Sequence, residues 1–163
     1  MNAPPATSGD AAPTGKPAGR AGGGRNARRR ARELALQGLY EWLLTASDGG
    51  VIEAGLRASP GYELCDREHL GSLLHGTIRE SAGLLDAFGR HLDRPVAQVS
   101  PVERAVLMLA TYELLHHREI PWRVVINEAV DLTKVFGGTD GHRFVNGIMD
   151  KVAADAGVAQ GLR

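Results

Sequence analysis

Beyond residue 27, apolar residues recur at helical spacing, and no stretch shows the alternation of a half-buried strand. The spacing predicts a first helix over 27–46, with Leu36, Leu39, Leu43 and Leu44 on its inner face, ended by Gly49 and Gly50. A short helix over 51–58 follows, capped by Asp48, before Pro60 and Gly61 break the pattern. The segment 67–92 then carries Leu70, Leu74, Ile78, Leu85, Phe88 and Leu92 on one stripe. Gly76 and Gly83 weaken it, so a split near residue 80 is open, and Pro95 closes it.

The strongest start signal is Ser100-Pro101-Val102-Glu103, with a capping Ser, Pro at the first helical position and Glu three residues after the Ser. The helix behind it, to residue 116, is expected to bury Val102, Val106, Leu109 and either Tyr112 or Leu115. Pro121 opens a helix through Phe136, for which Gly137 and Gly138 serve as a left-handed stop. Thr139 or Asp140 caps a last helix bearing Phe144, Val145, Ile148, Met149 and Val152. There is no internal repeat. The pattern describes an all-α fold, a single-domain bundle of six or seven helices.

Composition trims the domain at its ends. Residues 1–26 hold six glycines, six alanines and four prolines, with no large apolar residue after Met1. Too little apolar surface is available there to offset the entropy of ordering, so 1–26 reads as a disordered basic tail. The helical domain is then 27–157, followed by a short C-terminal tail, 158–163. The net charge of zero conceals a separation. Residues 1–32 carry seven Lys or Arg and one acid, whereas 33–163 carry twelve basic and eighteen acidic groups. A basic arm on an acidic body suits a polyanionic partner or a solubilising role. Cys65 is alone, which leaves no disulfide framework, and no apolar run reaches the roughly 18 residues of a membrane span. With no hydrophobic leader at its start, the chain is assigned to the cytoplasm.

Enzymatic signatures are missing from the sequence. His116 and His117 are adjacent, diverge by about 100° on a helix, and read as solvated residues near a helix C-terminus rather than metal ligands. Gly19–Gly24 follows no strand and lacks the lysine and hydroxyl of a phosphate loop. No nucleophile motif, cofactor site or metal site is expected, and the chain is read as non-enzymatic.

The informative run is Arg28-Arg29-Arg30-Ala31-Arg32-Glu33. Four arginines at the start of the predicted helix oppose its dipole and have no evident internal benefit. Phosphate oxygens would compensate them, since guanidinium donates paired hydrogen bonds and displaces condensed counterions. A basic solvated face is the alternative. Tyr40 lies along the same side, two to three turns on, where a partly exposed ring stacks an unpaired base or packs in the core. Trp42 projects elsewhere and reads as packing.

The segment RRRARELALQGLYEW, 28–42, resembles the opening of the bacterial transcription antitermination factors of the NusB family. Residues 100–152 are similar to that family throughout, most distinctively in VVINEAVDL, VFGG and HRFVNGIMDK. The resemblance covers 28–152 in order and is weakest over 47–95. It implies an all-helical protein that pairs with NusE, a small-subunit ribosomal protein, and binds boxA single-stranded RNA in nascent transcripts. Within the RNA polymerase antitermination complex this acts notably on ribosomal RNA operons.

The family's RNA surface maps to Arg28, Arg29, Arg30, Arg32, Tyr40 and the last-helix start at 140–146, including Arg143, Phe144 and Asn146. Phe144 stacks a base or packs in the core, and Asn146 offers donor and acceptor to a base edge. Asp140, an acid beside RNA, is read as moderating affinity. NusE is expected on the acidic body around Glu103, Tyr112 and Glu113. Met108 departs from relatives that carry a basic residue near that surface. The resemblance also admits other roles, as a helical interaction or homodimeric module, or as a detached NusB-like domain of an RNA methyltransferase.

Overall fold

The computed structural model describes residues 11–159, and side chains from Gly24 onward. Seven α-helices and two single 3-10 turns make up the described residues, with no strand among them. The helices are α1 (Ala11–Thr45), α2 (Gly49–Leu56), α3 (Arg67–Arg79), α4 (Ser81–Gly89), α5 (Pro101–His116), α6 (Trp122–Phe136) and α7 (Gly141–Asp155). The 3-10 turns are Tyr62–Leu64 and Val96–Gln98.

Local chemistry explains most boundaries. Asp48 caps α2 through its carboxylate, which accepts from the Gly50 N–H at 2.9 Å. Ser100 caps α5 by accepting from the Glu103 N–H at 3.2 Å, with Pro101 at the first helical position. The long stripe of 67–92 does split, at Glu80, whose φ −95° and ψ 11° lie outside the helical well. The break re-phases the buried face, so Leu73 and Leu84 are sealed in the core along with Leu70, Leu74 and Phe88.

Three expectations are corrected. Helix α1 begins at Ala11 rather than near Ala27, while 1–10 and 160–163 lie outside the described residues. Leu44 is 58% exposed, because the burying partners of α1 end with α2 and α3. Gly137 is no left-handed stop: its φ is −98° and ψ −172°. Glycine is needed there for space, since a Cβ would stand 2.8 Å from the Thr133 carbonyl oxygen.

Helix α5 is the axle of the bundle. Helices α1, α3, α4, α6 and α7 all pack against it, and its ten residues from Ala105 to Leu114 are buried without interruption. A helix enclosed on every side shows no amphipathic stripe, which is why its periodicity marked only part of what it buries. Helices α6 and α7 pair as a hairpin across the turn at 137–140. The closest approach to the axle is at Gly76 on α3, where a Cβ would overlap the ring of Tyr112. Tyr112 is 5% exposed and stacked on His116, so it has little freedom to yield. Gly76→Ala is expected to cost about 1–3 kcal/mol, read as a lower urea midpoint at unchanged m-value.

Candidate nucleic-acid interface

The arginines of α1 diverge around the helix. Arg28 turns toward Asp66, 3.9 Å away. Arg29 turns toward α6, donating from Nε and Nη2 to the Glu128 carboxylate at 3.1 and 2.8 Å, and to Asp131 at 3.2 Å. The hydrogen bond and charge of Glu128 raise the Arg29 pKa further. Arg30 turns to the opposite side and packs over Gly61, whose φ of +89° opens the 3-10 turn. Arg30 and Tyr40 line one groove.

Arg32 is withdrawn from any surface role. It is 3% exposed, and its Nε and Nη2 donate to both oxygens of Glu113 at 2.8–3.0 Å. Glu113 also accepts from His69 Nε2 at 2.8 Å, and Glu128 stands 3.7 Å from Arg32 Nη1. This buried cluster ties α1, α3, α5 and α6 together. The dipole argument for the arginines also lapses: they sit deep inside α1, and the effect is confined to the terminal turns. Three of the four arginines have acidic partners within the fold that sequence could not show.

The same enclosure corrects the expected partner surface on α5. Glu113 is 1% exposed, Tyr112 5% and Met108 3%, so none of them faces a partner and the departure at Met108 has no surface consequence. Glu103, in the exposed first turns, is the one member of that set left at the surface, half-buried.

Burial alone would push the Glu113 carboxyl up, but hydrogen bonds from His69 and Arg32 and the Arg32 charge outweigh it, holding the pKa below 4.5. A depressed carboxyl contributes stability that is complete above its unfolded pKa and lost as pH falls through the folded one. Stability is therefore expected to fall as pH drops below about 4.5, with a flatter acid limb in Glu113→Gln, both measured by urea unfolding across pH.

A groove of about 450 Å³ opens between α1, the 60–61 turn, the start of α5 and the end of α6. Arg30, Gln37, Tyr40, Val102 and Phe136 line it. Tyr40 is 39% exposed and Phe136 50% exposed, an unusual pair of open rings in a protein with few aromatics. Gln37 and Phe136 were missed from sequence. Phe136 continues the buried stripe of α6 at Ala129 and Leu132, so its position in the pattern reads as core.

Glu103, next to Val102, brings Oε2 against Gly138 and Gly141, where a Cβ on Gly141 would overlap its carboxylate. Asp140 stands at the N-cap position but makes no capping bond, contrary to the expectation, and is exposed. The Glu103 carboxylate occupies that helix end instead, where negative charge is favoured. Arg143 and Asn146 are exposed on α7. Phe144 is half-buried, packed on the core, and covered by Arg94, whose Cζ lies 4.6 Å from the ring centroid.

Ser72, His117 and Glu119 form a hydrogen-bonded chain at 2.8 and 3.3 Å, which also corrects the reading of His117 as simply solvated. The groove of Tyr40 and Phe136 is lined by neither Ser72 nor His117. Among the described residues, no group of three His, Cys, Asp or Glu side chains is placed to hold a metal ion, and no helix is long and apolar enough to cross a membrane.

The family model of the NusB family matches residues 29–154. The chain belongs to the NusB family. It is 59% identical over 129 residues to "Transcription antitermination protein NusB" of Ralstonia pickettii, covering 79% of this chain and 83% of that one. The protein of the same name from Burkholderia vietnamiensis is 58% identical over 130 residues, covering 80% and 90%. Among solved structures, NusB of T. maritima aligns with a TM-score of 0.69 at 30% identity, covering 78% of this chain and 91% of that one. A crystal structure of the antitermination factors NusB and NusE in complex with dsRNA aligns at 0.72 and 22% identity, covering 80% and 98%. The all-helical fold of the NusB family extends to this chain.

Proposed function

We propose that this NusB-family chain is a transcription antitermination factor that binds boxA RNA of nascent transcripts, notably of ribosomal RNA operons, together with NusE. It acts without catalysis, in the cytoplasm, as part of an RNA polymerase antitermination complex. The observation that carries the reading is the groove, in which two open rings, Tyr40 and Phe136, stand beside Arg30, whose guanidinium has no acidic partner among the described residues. Stacked rings suit unpaired bases, and a flanking cation suits the backbone between them. A duplex keeps its bases stacked on one another and uses such rings poorly.

Arg30 and Arg143 supply phosphate contacts, with Arg28 and Arg29 at the margin because Asp66, Glu128 and Asp131 already offset their charge. Asn146 reads a base edge, and exposed Asp140 moderates affinity by repulsion. Phe144 acts from beneath Arg94 rather than as an open ring. Glu103 and the 72% exposed Val135 of α6 offer a basic ribosomal protein one acidic and one apolar contact beside the same groove.

Titrating fluorescent single-stranded boxA RNA across salt tests the electrostatic part. With about three phosphates neutralised, the log-log slope is expected near −2, and a duplex of the same sequence should bind more weakly. Adding NusE should increase the preference for boxA over a scrambled strand. A flat salt response, or a preference for the duplex, counts against the proposal.

A further inference from the structure

Arg94 lies in the segment between α4 and the Val96–Gln98 turn, a stretch that showed no binding signal in sequence. Its guanidinium is held on two sides. Phe144 of α7 lies beneath it, with Cζ 4.6 Å from the ring centroid. At its edge, Nε and Nη2 donate to the Asp93 carboxylate at 2.8 and 3.4 Å. The side chain is still 39% exposed. Phe144 packs on the core through the rest of its surface, which leaves Arg94 as the outermost plane over it.

A guanidinium plane stacks on bases as an aromatic ring does, and here the plane is oriented before any ligand arrives. Its charge is a different matter. Asp93, itself 71% exposed, sits against it, and Glu103 lowers the local potential from the other side. A cation so neutralised is a poor anchor for phosphate, while its planar face is unaffected. Glu103 links the two places: it follows Val102 of the groove, lies against Gly138 and Gly141 at the start of α7, and acts on the charge of Arg94.

We propose that Arg94 is a further RNA-binding residue, offering its Phe144-seated guanidinium plane to an unpaired base beside the start of α7. This rests on the RNA-binding reading above and extends it by one stacking position. Because the plane and not the charge does the binding, lysine cannot replace arginine at this position. Phe144 contributes by positioning the plane.

The test is fluorescence anisotropy with single-stranded boxA RNA on the full chain, comparing Arg94→Ala, Arg94→Lys and Phe144→Leu with the unsubstituted protein. Both Arg94 variants are expected to lose about tenfold in affinity with an unchanged salt slope, as for one lost stacked base. Phe144→Leu should lose a similar factor with Arg94 still present, and thermal melts confirm that each variant is folded. A 2-aminopurine scan along the RNA should find one position whose quenching disappears in both Arg94 variants. Rescue by lysine, with the alanine slope shallower by about 0.7, would make Arg94 a phosphate anchor and overturn the proposal. Unchanged affinity in both Arg94 variants overturns it as well. Arg30→Ala and Tyr40→Ala separate the two levels: if they weaken binding and the Arg94 variants do not, only this inference falls. If they too leave it unchanged, the groove fails as an RNA site and the inference falls with it.

Discussion

Arg32→Ala is expected to destabilise the protein by about 3–5 kcal/mol, with a Tm lower by roughly 10–20 °C in circular-dichroism melts. The size follows from what remains behind. Glu113 is 1% exposed and depends on Arg32 for three of its short contacts, so the variant buries a carboxylate with only His69 to compensate it. That remainder costs far more than the ion pair contributes, because a well-formed buried pair roughly repays its own desolvation. The double variant Arg32→Met/Glu113→Leu should therefore recover most of the loss. A single variant that melts within a few degrees of the unsubstituted protein would show that the cluster is hydrated and of little consequence. At temperatures where Arg32→Ala stays folded, its RNA affinity should be close to normal, in contrast to Arg30→Ala.

Tyr40→Ala is expected to weaken single-stranded RNA binding by about 1–3 kcal/mol, and Phe136→Ala by a similar amount. Both rings are open to solvent, so folding stability should change little in either. They line one groove, and the effects of neighbours in contact with one ligand do not add. The double variant is thus expected to fall short of the sum, since losing one ring already loosens the strand over the other. The salt slope should stay the same in all three, because no cation is removed. Full affinity in the double variant would show that RNA avoids the groove altogether.

Much of this was legible along the chain. Helical spacing, the Ser100-Pro101-Glu103 start and the Asp48 cap all depend on neighbours within a turn or two, and the structure reproduces them. The family resemblance likewise rested on ordered local motifs, and the match over 29–154 bears it out. Tyr40 was singled out from sequence and lines the groove.

What the sequence could not supply was the direction of each arginine. Consecutive helical residues point about 100° apart, so Arg28, Arg29, Arg30 and Arg32 are one motif in the chain but four environments in space. The acids that distinguish them, Asp66, Glu113 and Glu128, are 38, 81 and 99 positions away. The same holds for Phe136 and Arg94. Periodicity assigns Phe136 to the core, and only the gap left between α1 and α5 opens it. Arg94 gains significance only because α7 returns to place Phe144 beneath it. Sequence alone determined that the fold is helical, the Asp48 and Ser100 caps, the family and the presence of a basic segment, because these follow from local periodicity and ordered motifs. Tertiary structure decided which arginine is buried and which faces open groove, because burial and charge pairing depend on contacts between distant parts of the chain.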